Sequence, residues 1–178
     1  MNNVFKSDYY RMTGEKNRTL KRAFTYLFSP HIRYVRCWRK YQAKGGLLRK
    51  LRLHLLGKRF GLEISPRAKI KEGLYLGHPY NITVAGGVKI GKNANLHKGS
   101  TIGRENRGKR EGVPTLGDCV YVGINSTVVG NVTIGDDVFI APNAFVNFDV
   151  PSHSVVLGNP GVIHHKDDAT EKYIIHRV

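Results

Sequence analysis

A chain of 178 residues with 40 % hydrophobic content holds enough apolar side chains for one domain and an appendage, which argues against global disorder. It has no run of about 18 apolar residues, so no membrane-spanning helix is expected, and MNNVFKSDYY lacks the charged-then-apolar layout of a signal peptide. The formal charge of +16 is uneven: residues 1–59 carry 16 Lys or Arg against Asp8 and Glu15, whereas residues 60–178 carry 13 against 11 acids.

The basic arm, residues 1–60, reads as helical. TLKRAFTYLF places Leu20, Phe24, Leu27 and Phe28 on one stripe. Ser29-Pro30 suits the start of a second helix, with Tyr34, Trp38 and Tyr41 set among Arg33, Arg36, Arg39 and Lys40. Gly45-Gly46 breaks it, and LLRKLRLHLLGKR follows with leucines between cations. Two readings stand. The helices pack on one another or on an oligomer with their charges solvated, or residues 1–59 lie on an anionic membrane face with their aromatics at the rim. A nucleic-acid partner is not expected, because no helix-turn-helix, zinc finger or RNP signature accompanies the charge. Cys37 and Cys119 have no metal-ligand spacing; no metal is expected, and a reduced cytoplasmic setting is.

Residues 61–166 repeat every six residues. Aliphatic residues fall at Ile64, Ile70, Leu76 and Ile82; after a two-residue slip the phase runs Val84, Ile90, Leu96, Ile102. After a polar gap it resumes at Leu116, Val122, Val128, Ile134, Ile140 and Val146. Four positions further on the residue is small or β-branched, as at Ala68, Ala94, Ser100, Ser126 and Ala144. Two inward side chains per six, with turn-formers between, suit a short strand and a corner. One unit cannot bury its apolar side, so the units stack into a parallel β-helix. The gap, GRENRGKREGVP at 103–114, is expected to be an extruded loop, and residues 167–178 a C-terminal tail.

The pattern [LIV]-G-x-x-[small]-x and the closing VPSHSVVLGNP at 150–160 resemble the hexapeptide-repeat acyltransferases, and residues 62–166 are most similar to the serine acetyltransferase branch. The resemblance implies a left-handed β-helix, mainly β, preceded by the helical arm. It implies a homotrimer with sites between neighbouring prisms, acetyl-CoA as co-substrate, and the loop as a flap. By motif position it assigns His78 as catalytic base and Glu63, where the family has Asp, as the carboxylate orienting it. Gly103, Gly123, Ile124, Ala141, Pro142 and Lys166 would line the cofactor. Apart from the resemblance, His97 and Tyr80 are candidates for the acceptor side by their nearness to His78, His97 being otherwise an exposed strand histidine. Allowing for the slip, His97 should stack above Gly77.

An imidazole near its ordinary pKa suits removal of an alcohol proton during attack on a thioester. A carboxylate on its other nitrogen holds the tautomer and stabilises the imidazolium.

The residues by which the serine enzymes hold serine are not kept. The Asp preceding the catalytic His is Gly77, and the Arg-His pair before Pro114 is Gly112-Val113. Without those charges a zwitterion loses its anchors. The expectation is therefore O-acetylation of a sugar hydroxyl in a capsule, lipopolysaccharide or exopolysaccharide intermediate, lipid-linked at the inner face of the cell membrane. Serine O-acetylation in cysteine biosynthesis is the alternative. A non-catalytic β-helix scaffold, or a basic nucleic-acid-binding protein on charge alone, is the rival of another class.

Overall fold

The computed structural model describes residues 3–15 and 28–178, so the expected stripe at Leu20, Phe24 and Leu27 lies outside the described residues. Three helices are described: α1 (Asn3–Thr13), α2 (Pro30–Lys44) and α3 (Leu47–Phe60). No described helix is long and apolar enough to cross a membrane. Helix α2 begins after Ser29 with Pro30 in its first turn and ends at Gly45, whose left-handed φ of 57° closes it.

Fifteen short strands follow, numbered in chain order, and they form three sheets. Sheet A stacks β1 (Glu63–Ile64), β4 (Thr83–Val84), β7 (Thr101–Gly103), β10 (Thr127–Val129) and β13 (Phe145–Val146). Sheet B stacks β2 (Lys69–Ile70), β5 (Lys89–Ile90), β8 (Thr115–Leu116) and β11 (Thr133–Ile134). Sheet C stacks β3 (Tyr75–Gly77), β6 (Asn95–His97), β9 (Tyr121–Val122), β12 (Val138–Ile140), β14 (Ser154–Leu157) and β15 (Val162–His165). Every pairing is parallel except β14 with β15. The chain visits A, B and C in turn, which is a three-sided β-helix.

The six-residue period is the physical code of this prism. Ile64, Leu76, Val84, Leu96, Ile102, Val122, Val128 and Ile140 are all buried, and so are the small partners Ala68, Ala94, Ser100, Ser126 and Ala144. Register shows where the period is broken. Ile64 stacks under Val84 and Leu76 under Leu96, steps of 20, whereas Leu116 stacks under Ile134, a step of 18. The two extra residues belong to the corner His78–Asn81. The gap at 103–114 lengthens the next turn, so Ile90 stacks under Leu116. That loop folds back on itself through paired backbone bonds between Glu105 and Gly112, and the Arg110 carbonyl accepts from the Asn131 N–H.

The base of a β-helix exposes unpaired strand edges, which must be covered or solvated. Here α1 and α2 cover them. The Tyr34 hydroxyl donates to the Leu62 carbonyl and accepts the Ile64 N–H; Trp38 Nε1 donates to the Ser65 carbonyl; Gln42 donates to the Ala68 carbonyl. Arg39, only 5 % exposed, donates to the Ile70 and Lys71 carbonyls and to the carboxylate of fully buried Asp8, at 2.8 Å. Asp8 in turn accepts the Leu74 N–H at 2.9 Å. Burial raises the Asp8 pKa and the Arg39 charge opposes that rise.

These contacts correct the membrane-rim reading of the aromatics: Tyr34 and Trp38 are buried in the core and Tyr41 is partly buried against it. The C-terminal tail is not a loose end. Asp137 accepts the Ala169 and Thr170 N–H groups, Tyr173 packs on Phe139 at 4.4 Å, and Arg11 of α1 donates to the Ile175 carbonyl. The tail thus runs down sheet C to the helical base.

Candidate active site

The corner between sheets C and A in the first turn is His78-Pro79-Tyr80-Asn81. Both ends of it are left-handed without glycine, with φ of 47° at His78 and 54° at Asn81. Such backbone costs free energy in an L residue and is found where a side chain must be aimed. The Tyr80 N–H closes a tight turn on the His78 carbonyl at 2.7 Å, and the Gly99 N–H from the turn above bonds the Tyr80 carbonyl at 2.9 Å. The imidazole of His78 is consequently exposed on the prism edge, as its place in the repeat predicts. Phe60, the last residue of α3, packs edge-on against Tyr80 at 5.4 Å, and its carbonyl accepts the Asn81 N–H. The helical base therefore buttresses this corner.

Glu63 opens β1 directly beneath Thr83, the residue into which the corner leads, so its exposed carboxylate stands at the foot of the same edge. No hydrogen bond joins Glu63 to His78. A cavity of about 680 Å³ adjoins Glu63 between α2, α3 and β1; Lys50, His54 and Lys58 line its α3 wall.

His97 pairs with Gly77 one turn up, the position that counting the repeat predicts. The approach is close: a Cβ at residue 77 would collide with the His97 ring. The ring leans on Tyr121 at 4.5 Å and on Tyr75 at 6.0 Å, and its Nε2 is buried without a partner. Burial first, and the neighbouring His78 second, lower its pKa to about 4, so it is neutral at pH 7. It offers a hydrogen-bonding nitrogen, not a charge.

The expected cofactor residues fall on more than one edge. Register continues Gly77 and His97 to Gly123 and Ala141, which brings Gly123, Ile124, Ala141 and Pro142 into a column above His78. The column is tightly stacked: a Cβ on Gly123 would sit 2.7 Å from the Ile140 carbonyl oxygen. Gly103 lies instead at the A-to-B corner, at the root of the extruded loop. Lys166 lies at the B-to-C corner, its N–H bonded to the His153 carbonyl. Within one protomer these two do not meet His78. The aromatic stack of Tyr121, Phe139 and Tyr173 beside His97 is a further feature of this face that the six-residue pattern does not reveal, because outward positions carry no periodic constraint. Among the described residues, no cluster of three His, Cys, Asp or Glu stands ready to hold a metal ion.

Residues 114–147 match the family "Bacterial transferase hexapeptide (six repeats)". A serine acetyltransferase of Helicobacter pylori is 34 % identical over 141 residues, which cover 75 % of this chain and 80 % of that one. A serine acetyltransferase of Staphylococcus xylosus is 38 % identical over 109 residues, 60 % of this chain and half of the relative. The fold is similar to that of the Neisseria gonorrhoeae serine acetyltransferase in complex with serine, with a TM-score of 0.73 and 24 % identity over 90 % of this chain and 67 % of that one.

These matches overturn the expectation of a capsule or lipopolysaccharide sugar as acceptor, because the relatives are serine acetyltransferases. Charges of both signs, Lys50 and Lys58 on one wall and Glu63 on the other, border the cavity beside β1. The chain is an acetyl-CoA-dependent O-acetyltransferase and belongs to the serine acetyltransferase family of hexapeptide-repeat enzymes.

Proposed function

We propose that this protein transfers an acetyl group from acetyl-CoA to the hydroxyl of serine, with His78 as the general base. The observation that carries the reading is the 34 % identity across four-fifths of the Helicobacter pylori serine acetyltransferase. The left-handed, exposed His78 corner supports it. His78 takes the hydroxyl proton as oxygen attacks the thioester carbonyl, then returns it to the departing CoA thiolate. Glu63, at the foot of the edge, is the carboxylate for the other ring nitrogen. It reaches the ring when the site closes, since catalytic hydrogen bonds are often long without substrate.

His97 and Tyr80 line the acceptor side. Gly123, Ile124, Ala141 and Pro142 form the edge along which the pantetheine arm lies. The N–H groups of Lys98 and Gly99 are already bonded to Gly77 and Tyr80, so they are not the oxyanion donors.

A homotrimer fits the separation of Gly103 and Lys166 from His78, because a neighbouring prism brings its own corners against this edge. A cytoplasmic setting fits two free cysteines. The test is thiol release from acetyl-CoA with and without serine. Serine-dependent release is expected; release that serine does not raise above the hydrolytic background contradicts the proposal.

A further inference from the structure

Helix α3 is apolar on two opposite faces. One face, with Leu53 and Gly57 buried and Leu56 and Phe60 partly buried, packs toward α2 and the base of the prism. The other carries Leu47, Leu48, Leu51 and Leu55, exposed by 81 %, 82 %, 53 % and 59 %. Spacings of one, four and eight residues gather these leucines on a single stripe of an α-helix. Among the described residues nothing packs on them, although four large side chains in a row are what water excludes most strongly.

The charges of the helix show what this face fits. Its fourteen residues include Arg49, Lys50, Arg52, Lys58 and Arg59 and no acid. Arg52 and Arg59 border the leucine stripe on one side, and Lys50 and His54 on the other, with Lys58 along its length, all exposed. A second copy meeting this face across a two-fold axis would set these cations against their own equivalents, with no carboxylate on the helix to answer them. An anionic bilayer complements both features at once: leucines enter the acyl boundary while the cations stay among the phosphates.

We propose that α3 lays its outer face on an anionic lipid surface and is the membrane-docking element of this protein. Tyr34 and Trp38 of α2 cannot serve, being buried. Because Phe60 at the end of α3 buttresses Tyr80, docking would hold the His78 corner close to the bilayer.

The experiment is co-sedimentation of the full chain with vesicles of phosphatidylcholine alone or doped with phosphatidylglycerol, at low and high salt. The proposal expects pelleting with the doped vesicles, weakened by salt. It expects a loss of about tenfold or more in the bound-to-free ratio for a Leu47→Ser, Leu51→Ser, Leu55→Ser variant. These leucines are exposed, so the variant should keep its circular dichroism and its acetyl transfer in solution, which separates this proposal from the choice of acceptor. Wild-type protein remaining in the supernatant at low salt overturns it. So does a serine variant that still pellets like wild type, since binding would then be charge alone. A leucine-dependent self-association in sedimentation velocity without lipid also overturns it, by assigning the face to a second copy.

Discussion

The prism and its helical base are stabilised in different ways. In the prism each turn repeats the same apolar pair, and neighbouring turns bury one another, so stability is spread over many near-equivalent sites. In the base it is concentrated. Asp8, Arg39, Tyr34 and Trp38 each satisfy a specific carbonyl or N–H at the open end of the first turn. A periodic element tolerates local change, whereas a capping element built on single polar contacts does not.

Replacing Asp8 tests this contrast most strongly. Asp8→Ala leaves the Arg39 guanidinium buried without its carboxylate, and breaking such a pair costs about 3–5 kcal/mol. Urea unfolding should show the loss, with the helical base melting ahead of the prism as a separate transition. Leu96→Ala, in the middle of sheet C, should cost about 2–4 kcal/mol by opening a cavity, in a single transition.

A smaller effect concerns pH. His97 is held at a pKa of about 4, below its unfolded value near 6.5, so between these values the unfolded chain binds more protons. Stability from this group is present above pH 6.5 and is lost as pH falls toward 4. The ring is partly exposed, which limits the effect to about 1 kcal/mol. His97→Gln should flatten that part of the stability–pH curve, read as Tm against pH.

The smallest stability effect belongs to the corner itself. His78→Gly removes the imidazole while relieving a left-handed φ, so Tm should not fall even as acetyl transfer is lost.

Much of the prism was legible in the sequence. The phase through Ile64, Ile70 and Leu76, a two-residue slip before Val84 and the pairing of His97 with Gly77 all follow from counting residues. Counting units by threes also assigns Gly103 to the next corner, a step that motif resemblance alone passes over. The base was legible only as helices. A buried pair such as Asp8 and Arg39 joins two helices 31 residues apart within a chain segment whose many cations read as solvated. The path of the tail was not legible either, because it depends on single contacts from Asp137 and Tyr173 and on no repeat. The acceptor was misread because two missing charges, at Gly77 and Gly112, were set against a resemblance that runs along the whole prism, and the relatives are serine acetyltransferases.

The most direct test of the central claim is the rate of serine-dependent thiol release by His78→Ala beside wild type at saturating acetyl-CoA. If the imidazole at this corner is the general base, kcat falls by about 10²–10⁴ while circular dichroism and Tm are kept. A variant that transfers acetyl groups at the wild-type rate would contradict the account and place the chemistry elsewhere on the prism.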